Sequence, residues 1–393
     1  MKRTPKICLI SNPDSIHVQR WERHFSTRGF DVSLLSFYQP QTEPSSEASL
    51  HYLRPRSTAP SSGRARAATA AQRFPGLLRL FTAARYRAAG FYRELDRINP
   101  DLVHAHYVSD YGFLAALSRR RPLIVSAWGS DVLVDPGLSP ITRQLVRWVL
   151  GRADLVTYDA NQVRDVAQKL GAPSDHLLRV VLGVDGDLLD ALRTRTIPPA
   201  TRQPVILSLR SLDRTLYNVD VIIEAMPEVL VRVPNARLLI GNEGSLKPLL
   251  EEQARRLGVS DAVEFVGMAR GPAALAELLG RAAAYVSVPS SDGTSVTLLE
   301  AMAAGAYPIV SDLPANREWV NAEGGAVVTT RQVAPLVGAI VGALRDPVRR
   351  ASAATRNLEL VKQHGLWDLN MARMEDAYRG LADAGIKSEG ATR

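Results

Sequence analysis

Asp292 and Glu300 are the pair whose type and spacing could do chemistry. They lie in the run SSDGTSVTLLEAMAAG at 290–305, between two apolar runs, Ala284-Tyr285-Val286-Ser287-Val288 and Ala306-Tyr307-Pro308-Ile309-Val310. That order reads strand, loop, helix, strand, and a small polar residue between Thr294 and Thr297 can cap the helix. A helix start offers free amide groups and the positive end of a dipole, so phosphate is its natural guest. Asp292 precedes the helix, and Glu300 lies inside it. A carboxylate among such amides repels phosphate but accepts hydrogen bonds from hydroxyls. A guest that carries both groups, a sugar nucleotide, meets both demands. On spacing alone, the turn could equally be a connector in a parallel sheet, with Glu300 an ordinary solvated helix residue.

The wording of this segment resembles the signature of retaining glycosyltransferases of family 4, in which two acidic residues flank seven others at an EAMAAG helix. Asp292 stands where that family usually has Glu. Four further stretches resemble the family in its order. Leu182-Gly183-Val184-Asp185 looks like its G-V-D turn, and Val205-Ile206-Leu207-Ser208-Leu209-Arg210-Ser211 like the strand and arginine that open its donor domain. Leu238-Leu239-Ile240-Gly241-Asn242-Glu243-Gly244 resembles its glycine-containing turn, and Val263-Glu264-Phe265-Val266-Gly267 its V-x-F-x-G strand. The resemblance covers roughly residues 5 to 385.

It implies an α/β chain of GT-B architecture, two Rossmann-like doubly wound domains facing a central cleft, and roles for particular residues. Glu300 would bind the ribose diol of the donor, while Asp292 would receive hydroxyls of the transferred sugar. Backbone amides of Gly293, Thr294, Ser295, Val296 and Thr297 would hold the sugar and diphosphate. Arg210 would neutralise the leaving diphosphate, a preorganised electrostatic role; the plain alternative is a surface arginine at a strand end. The family usually supplies a lysine seven residues later, where this chain has Tyr217, so Arg214 is the nearest substitute. Gly267 and Met268 would carry backbone that contacts the base, taken as uridine at family level, and Asn242 to Gly244 a turn lining the donor side.

The first half departs further from the family. Its glycine-rich first loop is replaced by Ser11-Asn12-Pro13-Asp14-Ser15-Ile16-His17, leaving Ser15 and His17 as candidate contacts. The family's T-x-H-G histidine corresponds to Trp128 in Ser126-Ala127-Trp128-Gly129-Ser130-Asp131, so Trp128 could wall off the sugar while Asp131 takes over polar contacts. His104 and His106 alternate on an expected strand and share one side. His106, nearer the carboxyl end, could reach the cleft; either could also be a satisfied core histidine. Asp185-Gly186-Asp187 spells the D-x-D of metal-dependent glycosyltransferases but sits in the G-V-D turn, so no metal and no other cofactor is expected.

The elements that must position these residues alternate strand and helix. In the first half, strands are expected at 6–11, 31–37, 101–107, 122–127, 154–158 and 178–181, with helices at 19–28, 77–97, 112–120, 142–151 and 162–170. The second half has expected strands at 205–209, 236–240, 263–266, 284–288 and 307–310. This alternation favours parallel doubly wound sheets. Residues 193–204, polar and Pro-containing, separate the halves. The expected division is an acceptor-side domain at 1–195 and a donor-binding domain at 203–365. A final helix from about 366 to 393, bearing Trp367, Met371, Met374 and Tyr378, would cross back to the first.

At 393 residues the chain exceeds a single comfortable core. Its 46% hydrophobic and 22% charged content suits a folded soluble protein, and no apolar run approaches a membrane span. One cysteine, Cys8, excludes an internal disulfide. Cytoplasmic residence fits. Net charge is +8, and from Arg54 to Arg93 there are arginines but no Asp or Glu. No nucleic-acid motif accompanies that charge. Leu77, Leu78, Phe81, Tyr86 and Tyr92 among Arg79, Arg85, Arg87 and Arg93 pattern either a helix lying on an anionic membrane or one packed on the sheet.

The expected function is metal-independent, retaining transfer of a hexose or N-acetylhexosamine from a nucleoside-diphosphate sugar to a hydroxyl acceptor. The acceptor class is a glycan, a glycolipid or a small hydroxylated molecule, including lipid-linked or cell-envelope glycans in polysaccharide biosynthesis. Two alternatives stay open: a non-catalytic sugar-nucleotide-binding GT-B protein, and a GT-B nucleotide-sugar epimerase.

Overall fold

A computed structural model of the chain describes residues 4–36, 48–53, 75–195 and 197–390. It divides into two compact units, one of residues 1–180 with 371–393 and the other of 181–370.

The first unit is built on a seven-stranded sheet in the order β3-β2-β1-β4-β5-β6-β7. Its strands are β1 (Lys6–Ile10), β2 (Asp31–Ser36), β3 (Ser49–Tyr52), β4 (Leu102–His106), β5 (Leu123–Ser126), β6 (Leu155–Tyr158) and β7 (Leu177–Arg179). All pairs are parallel, with Leu9 of β1 between Leu34 of β2 and His104 of β4. The central strands β4 and β5 are buried along their whole length, and β1 beyond Lys6, because helices cover both faces of such a sheet. β3 had no counterpart in the sequence reading: four residues at an edge, half-buried or exposed, give no alternation to detect. The single helix expected at 77–97 is two, Pro75–Ala88 and Phe91–Ile98, broken where Gly90 takes φ +95.

That pair of helices answers part of the membrane expectation. The stretch 54–74 lies outside the described residues. In the helix Pro75–Ala88, Ala83 and Tyr86 are buried, and Arg79 is turned inward, donating to Asp110 at 2.8 Å and Asp135 at 2.7 Å. Arg79 is thus a structural residue of the first unit, whereas Arg85 and Arg87 are exposed. Among the described residues no helix is long and apolar enough to cross a membrane.

The last helix, Trp367–Gly390, gives Met371, Met374 and Tyr378 to the first unit, all fully buried. The Tyr378 hydroxyl accepts from Trp21 Nε1 at 2.9 Å and meets His104 Nδ1 at 2.6 Å. The other His104 nitrogen meets Ser126 Oγ at 2.7 Å, and Ser126 meets Thr157 at 2.6 Å. His104 is thus the satisfied core histidine, and burial holds its pKa well below the usual range.

The second unit carries a six-stranded parallel sheet in the order β10-β9-β8-β11-β12-β13. These strands are β8 (Val205–Ser208), β9 (Arg237–Gly241), β10 (Val263–Gly267), β11 (Ala284–Ser287), β12 (Tyr307–Ser311) and β13 (Ala326–Val328). β13, three residues at the far edge, also escaped the sequence reading. The unit begins at Val181, not within 193–204, because Leu188 and Leu192 of the helix Gly186–Arg195 join its core with Ala276 and Leu279. Arg202, from that supposed linker, is buried and donates to the carbonyls of Ile197, Ala282 and Ala304. Burial lowers its pKa to about 10.

Candidate active site

In the second unit the strand order reverses direction between β8 and β11, so the loops leaving their carboxyl ends part there. Open parallel sheets bind ligands at such a switch point. Arg210 leaves β8 and Asp292 leaves β11, and the structure brings them together, with Nη2 of Arg210 2.8 Å from Oδ2 of Asp292. Nη1 of the same guanidinium donates to Ser295 Oγ at 2.8 Å, and its centre lies 4.1 Å from the Tyr217 ring centroid. Burial opposes the charge on Arg210, but Asp292, then Tyr285 and Tyr217, raise its pKa above the ordinary value.

Ser295 has a second role as N-cap of the helix Val296–Ala303, accepting from Leu298 N at 3.4 Å. A cap of this kind contributes about 1 kcal/mol. Thr297 Oγ1 is 2.6 Å from the Tyr285 hydroxyl and 3.1 Å from Ser295 Oγ. Thr294 is buried and accepts from Trp319 Nε1 at 3.3 Å. Gly293 is buried beside these residues in sequence; Val296, Thr297 and Glu300 are half-buried. The final glycine of the run, Gly305, has φ +76 because the chain turns there out of the helix, with Ala306 N donating to Ala301 O. The sequence-expected residues Arg210, Asp292 and Ser295 therefore form one fixed cation, carboxylate and helix start.

Tyr217 enters this cluster where the family pattern led one to expect a cation. Its loop is pinned by Asn218, a residue the sequence reading passed over, in the left-handed region at φ 52. Asn218 Nδ2 donates to Val288 O at 2.8 Å and Ser290 Oγ at 2.9 Å, and Ser290 N donates to Leu216 O at 2.9 Å. The available signal was an asparagine directly before an apolar helix, a position that tolerates positive φ. Arg214 is exposed, and among the described residues no contact joins it to Arg210, Asp292 or Ser295.

Asn242 and Gly244 brace the Arg210 loop. A Cβ on Gly244 would come within 2.2 Å of the Leu212 carbonyl carbon, so only glycine fits. Leu212 N donates to Glu243 O at 3.1 Å, and Ser245 N to Asp213 Oδ1 at 2.7 Å. Asn242 N donates to Gly267 O at 2.9 Å, which ties in β10. Gly267 and Met268 stand at the carboxyl end of β10, two strands from β8, with Met268 47% exposed.

The first unit has its own switch point, between β1 and β4. His106 ends β4 there, fully buried among the rings of His104 at 4.5 Å, Trp21 at 5.0 Å and Trp128 at 5.4 Å. Among the described residues neither of its ring nitrogens has a hydrogen-bond partner, and burial, then His17, lower its pKa to about 3. His17, on the helix that follows β1, lies 5.7 Å from the Trp128 ring, and burial, then Arg20, lower its pKa to about 4. Its Nδ1 is likewise buried without a partner among the described residues. Unpaired buried polar atoms are rare and call for an explanation. Ser15 precedes that helix without capping it.

The backbone beyond His106 is unusual. Tyr107 has φ 84, costly for a bulky residue, and a π-helical turn, Val108–Gly112, follows it. Asp131 holds this turn: Oδ2 accepts from Val108 N at 2.7 Å and Oδ1 from Trp128 N at 3.0 Å. Burial raises the Asp131 pKa to about 7 against the pull of those amides. Asp131 is therefore a brace for Trp128, with each oxygen occupied by a backbone amide.

Asp185 and Asp187 flank the start of the helix Gly186–Arg195, with Asp187 exposed. The glycine of that G-V-D turn, Gly183, packs against Gly365, and Val184 N donates to Gly365 O at 2.8 Å. Among the described residues no three His, Cys, Asp or Glu side chains gather as a metal site would require.

The chain has two parallel doubly wound units and an arginine–carboxylate cluster at a switch point, and its sequence and fold both resemble those of known proteins. Residues 6–160 match the glycosyl transferase 4-like family, and residues 194–359 match glycosyl transferases group 1. The chain belongs to the group 1 glycosyltransferases of family 4 type, and its fold is GT-B. A GDP-mannose-dependent alpha-(1-6)-phosphatidylinositol monomannoside mannosyltransferase of Mycolicibacterium smegmatis is 27% identical over 289 residues, 70% of this chain and 74% of the relative. A phosphatidyl-myo-inositol mannosyltransferase of the same organism is 28% identical over 185 residues, so this match spans 46% of each protein. Among solved structures, Anabaena HepE in complex with UDP superposes with TM-score 0.75 at 15% identity, covering 96% of this chain and all of that one. Sucrose-phosphate synthase from Thermosynechococcus elongatus gives 0.73 at 19% identity, covering 97% and 100%.

Proposed function

We propose that this glycosyltransferase moves a hexose from a nucleoside-diphosphate sugar to a hydroxyl of a glycolipid or cell-envelope glycan, with retention and without a metal. The observation that carries the proposal is the buried Arg210 beside Asp292 and the capped helix start at Ser295, at the β8–β11 switch point. A fixed guanidinium and helix amides suit a departing diphosphate, whose charge grows as the glycosidic bond breaks. Glu300, on the same helix, suits the ribose diol. In a retaining transfer of this kind the acceptor attacks from the face the diphosphate leaves, and the leaving phosphate takes its proton. No protein general base is then needed. In the first unit, His17 and His106, beside Trp128, would receive the acceptor, offering ring nitrogens that are buried without a hydrogen-bond partner among the described residues.

Names of the relatives support GDP-mannose as the first donor to try and a phosphatidylinositol-type glycolipid as the first acceptor. The family-level expectation of uridine makes UDP-glucose and UDP-N-acetylglucosamine the comparison. Purified protein should release GDP or UDP from one of these sugars, faster with acceptor, at a rate a chelator leaves unchanged. The new linkage should keep the donor's anomeric configuration by NMR. Neither release nor thermal stabilisation by any of the three donors would overturn the proposal; inversion would overturn its stereochemistry, and chelator-sensitive turnover its metal independence.

A further inference from the structure

We propose that Asp292 is an exchangeable counter-ion for Arg210, displaced by the diphosphate of a nucleotide, and that Tyr217 is the positioning residue that holds the guanidinium during the exchange. The inference rests on the second unit being the donor site. A guanidinium is a planar fork of five donors with two usable edges and two faces. On Arg210 one edge is occupied by the neutral Ser295 hydroxyl, another by the Asp292 carboxylate, and one face by the Tyr217 ring. Of these three neighbours only Asp292 is anionic. A diphosphate approaching the same group meets like charge at a few ångströms, a repulsion that poor hydration leaves largely unscreened. Asp292 is also the movable partner, with 22% of its side chain exposed against 9% for Arg210.

Tyr217 is anchored independently of that carboxylate. Asn218 ties its loop to Val288 and Ser290, and Arg331 Nη1 donates to Asn218 Oδ1 at 2.8 Å. The ring can therefore stay over the guanidinium as the carboxylate swings away. A neutral ring also supplies no second charge, unlike the lysine the family pattern places there. Once released, the Asp292 carboxylate is available to sugar hydroxyls, so one residue serves first as counter-ion and then as sugar contact.

The test uses GDP and UDP, which carry the diphosphate but no transferred sugar. Binding to the whole protein is measured by titration calorimetry for wild type, Asp292→Asn, Asp292→Ser, Tyr217→Phe and Tyr217→Leu, with circular dichroism to confirm folding. Removing the competing charge should tighten nucleoside diphosphate binding by about tenfold in both Asp292 variants, while turnover falls. Tyr217→Phe should bind within about twofold of wild type, whereas Tyr217→Leu should bind roughly three- to tenfold more weakly through the lost cation–π contact. Unchanged or weaker diphosphate binding in folded Asp292 variants would overturn the exchange, even though donor-sugar affinity fell. Equal binding by Tyr217→Leu would overturn the role of the ring. If wild type binds neither GDP nor UDP, the donor-site reading itself fails and the exchange with it.

Discussion

Replacing His106 by Phe isolates the burial of an unpaired imidazole. His106 has an ordinary pKa of 6.5 and one of about 3 in the folded protein. Below about pH 6.5 the unfolded chain therefore takes up a proton that the folded chain refuses, and stability falls as pH falls. Between about pH 7.5 and pH 5 this one residue removes ~2 kcal/mol, from RT ln(1 + 10^1.5). Phe carries no such proton, so the variant should lose ~2 kcal/mol less than wild type over the same interval. The comparison is robust because other terms cancel. Relief of two unsatisfied nitrogens and any overpacking by the larger ring shift both pH values alike. Asp131, whose pKa of about 7 opposes the histidines by favouring the folded state at lower pH, is present in both proteins. The measurement is urea unfolding at the two pH values, followed by hydrogen exchange in peptides from β1 and β4. Identical pH dependence in the two proteins would refute the picture of a neutral, buried His106. A variant that is at least as stable yet transfers sugar more slowly would fit a residue retained for function.

Glu300→Ala should weaken donor binding by roughly 1.5–3 kcal/mol, about ten- to a hundredfold, without loss of fold; unchanged affinity would remove Glu300 from the site. Arg79→Gln should destabilise the first unit by roughly 1.5–3 kcal/mol, because Asp110 and Asp135 lose their shared cation and Asp135 keeps, among the described residues, only the Ser109 hydroxyl. An unchanged urea midpoint, with binding to anionic vesicles lost instead, would return Arg79 to the surface.

Much of the fold was legible in the sequence because it rests on local, repeated signals. Apolar runs such as Ile7-Cys8-Leu9-Ile10 and Ala284-Tyr285-Val286 mark strands buried on both faces whatever surrounds them. The acidic pair, the capping residues and the glycine at 305 were legible too, since their spacing follows from one loop and one helix. Among the elements without an expected counterpart are β3, β13 and the π-helical turn, which are short or irregular and leave no period to read.

What the sequence alone determined, then, was the order of the elements and the kinds of group at the end of each strand. Only the tertiary structure decided which of those groups meet. His104 and His106 are indistinguishable by alternation, yet Tyr378, from the far end of the chain, satisfies the first, while the second has no partner among the described residues. Arg214 is nearer than Tyr217 to Arg210 in sequence, but Asn218 turns the loop so that the ring covers the guanidinium and Arg214 is left exposed. Arg202 and Arg79 read as linker and surface charges until distant carbonyls and carboxylates closed around them. Each outcome depends on a partner many residues away. Periodicity reports the side of an element a residue faces, whereas a hydrogen bond or ion pair requires what faces it in return.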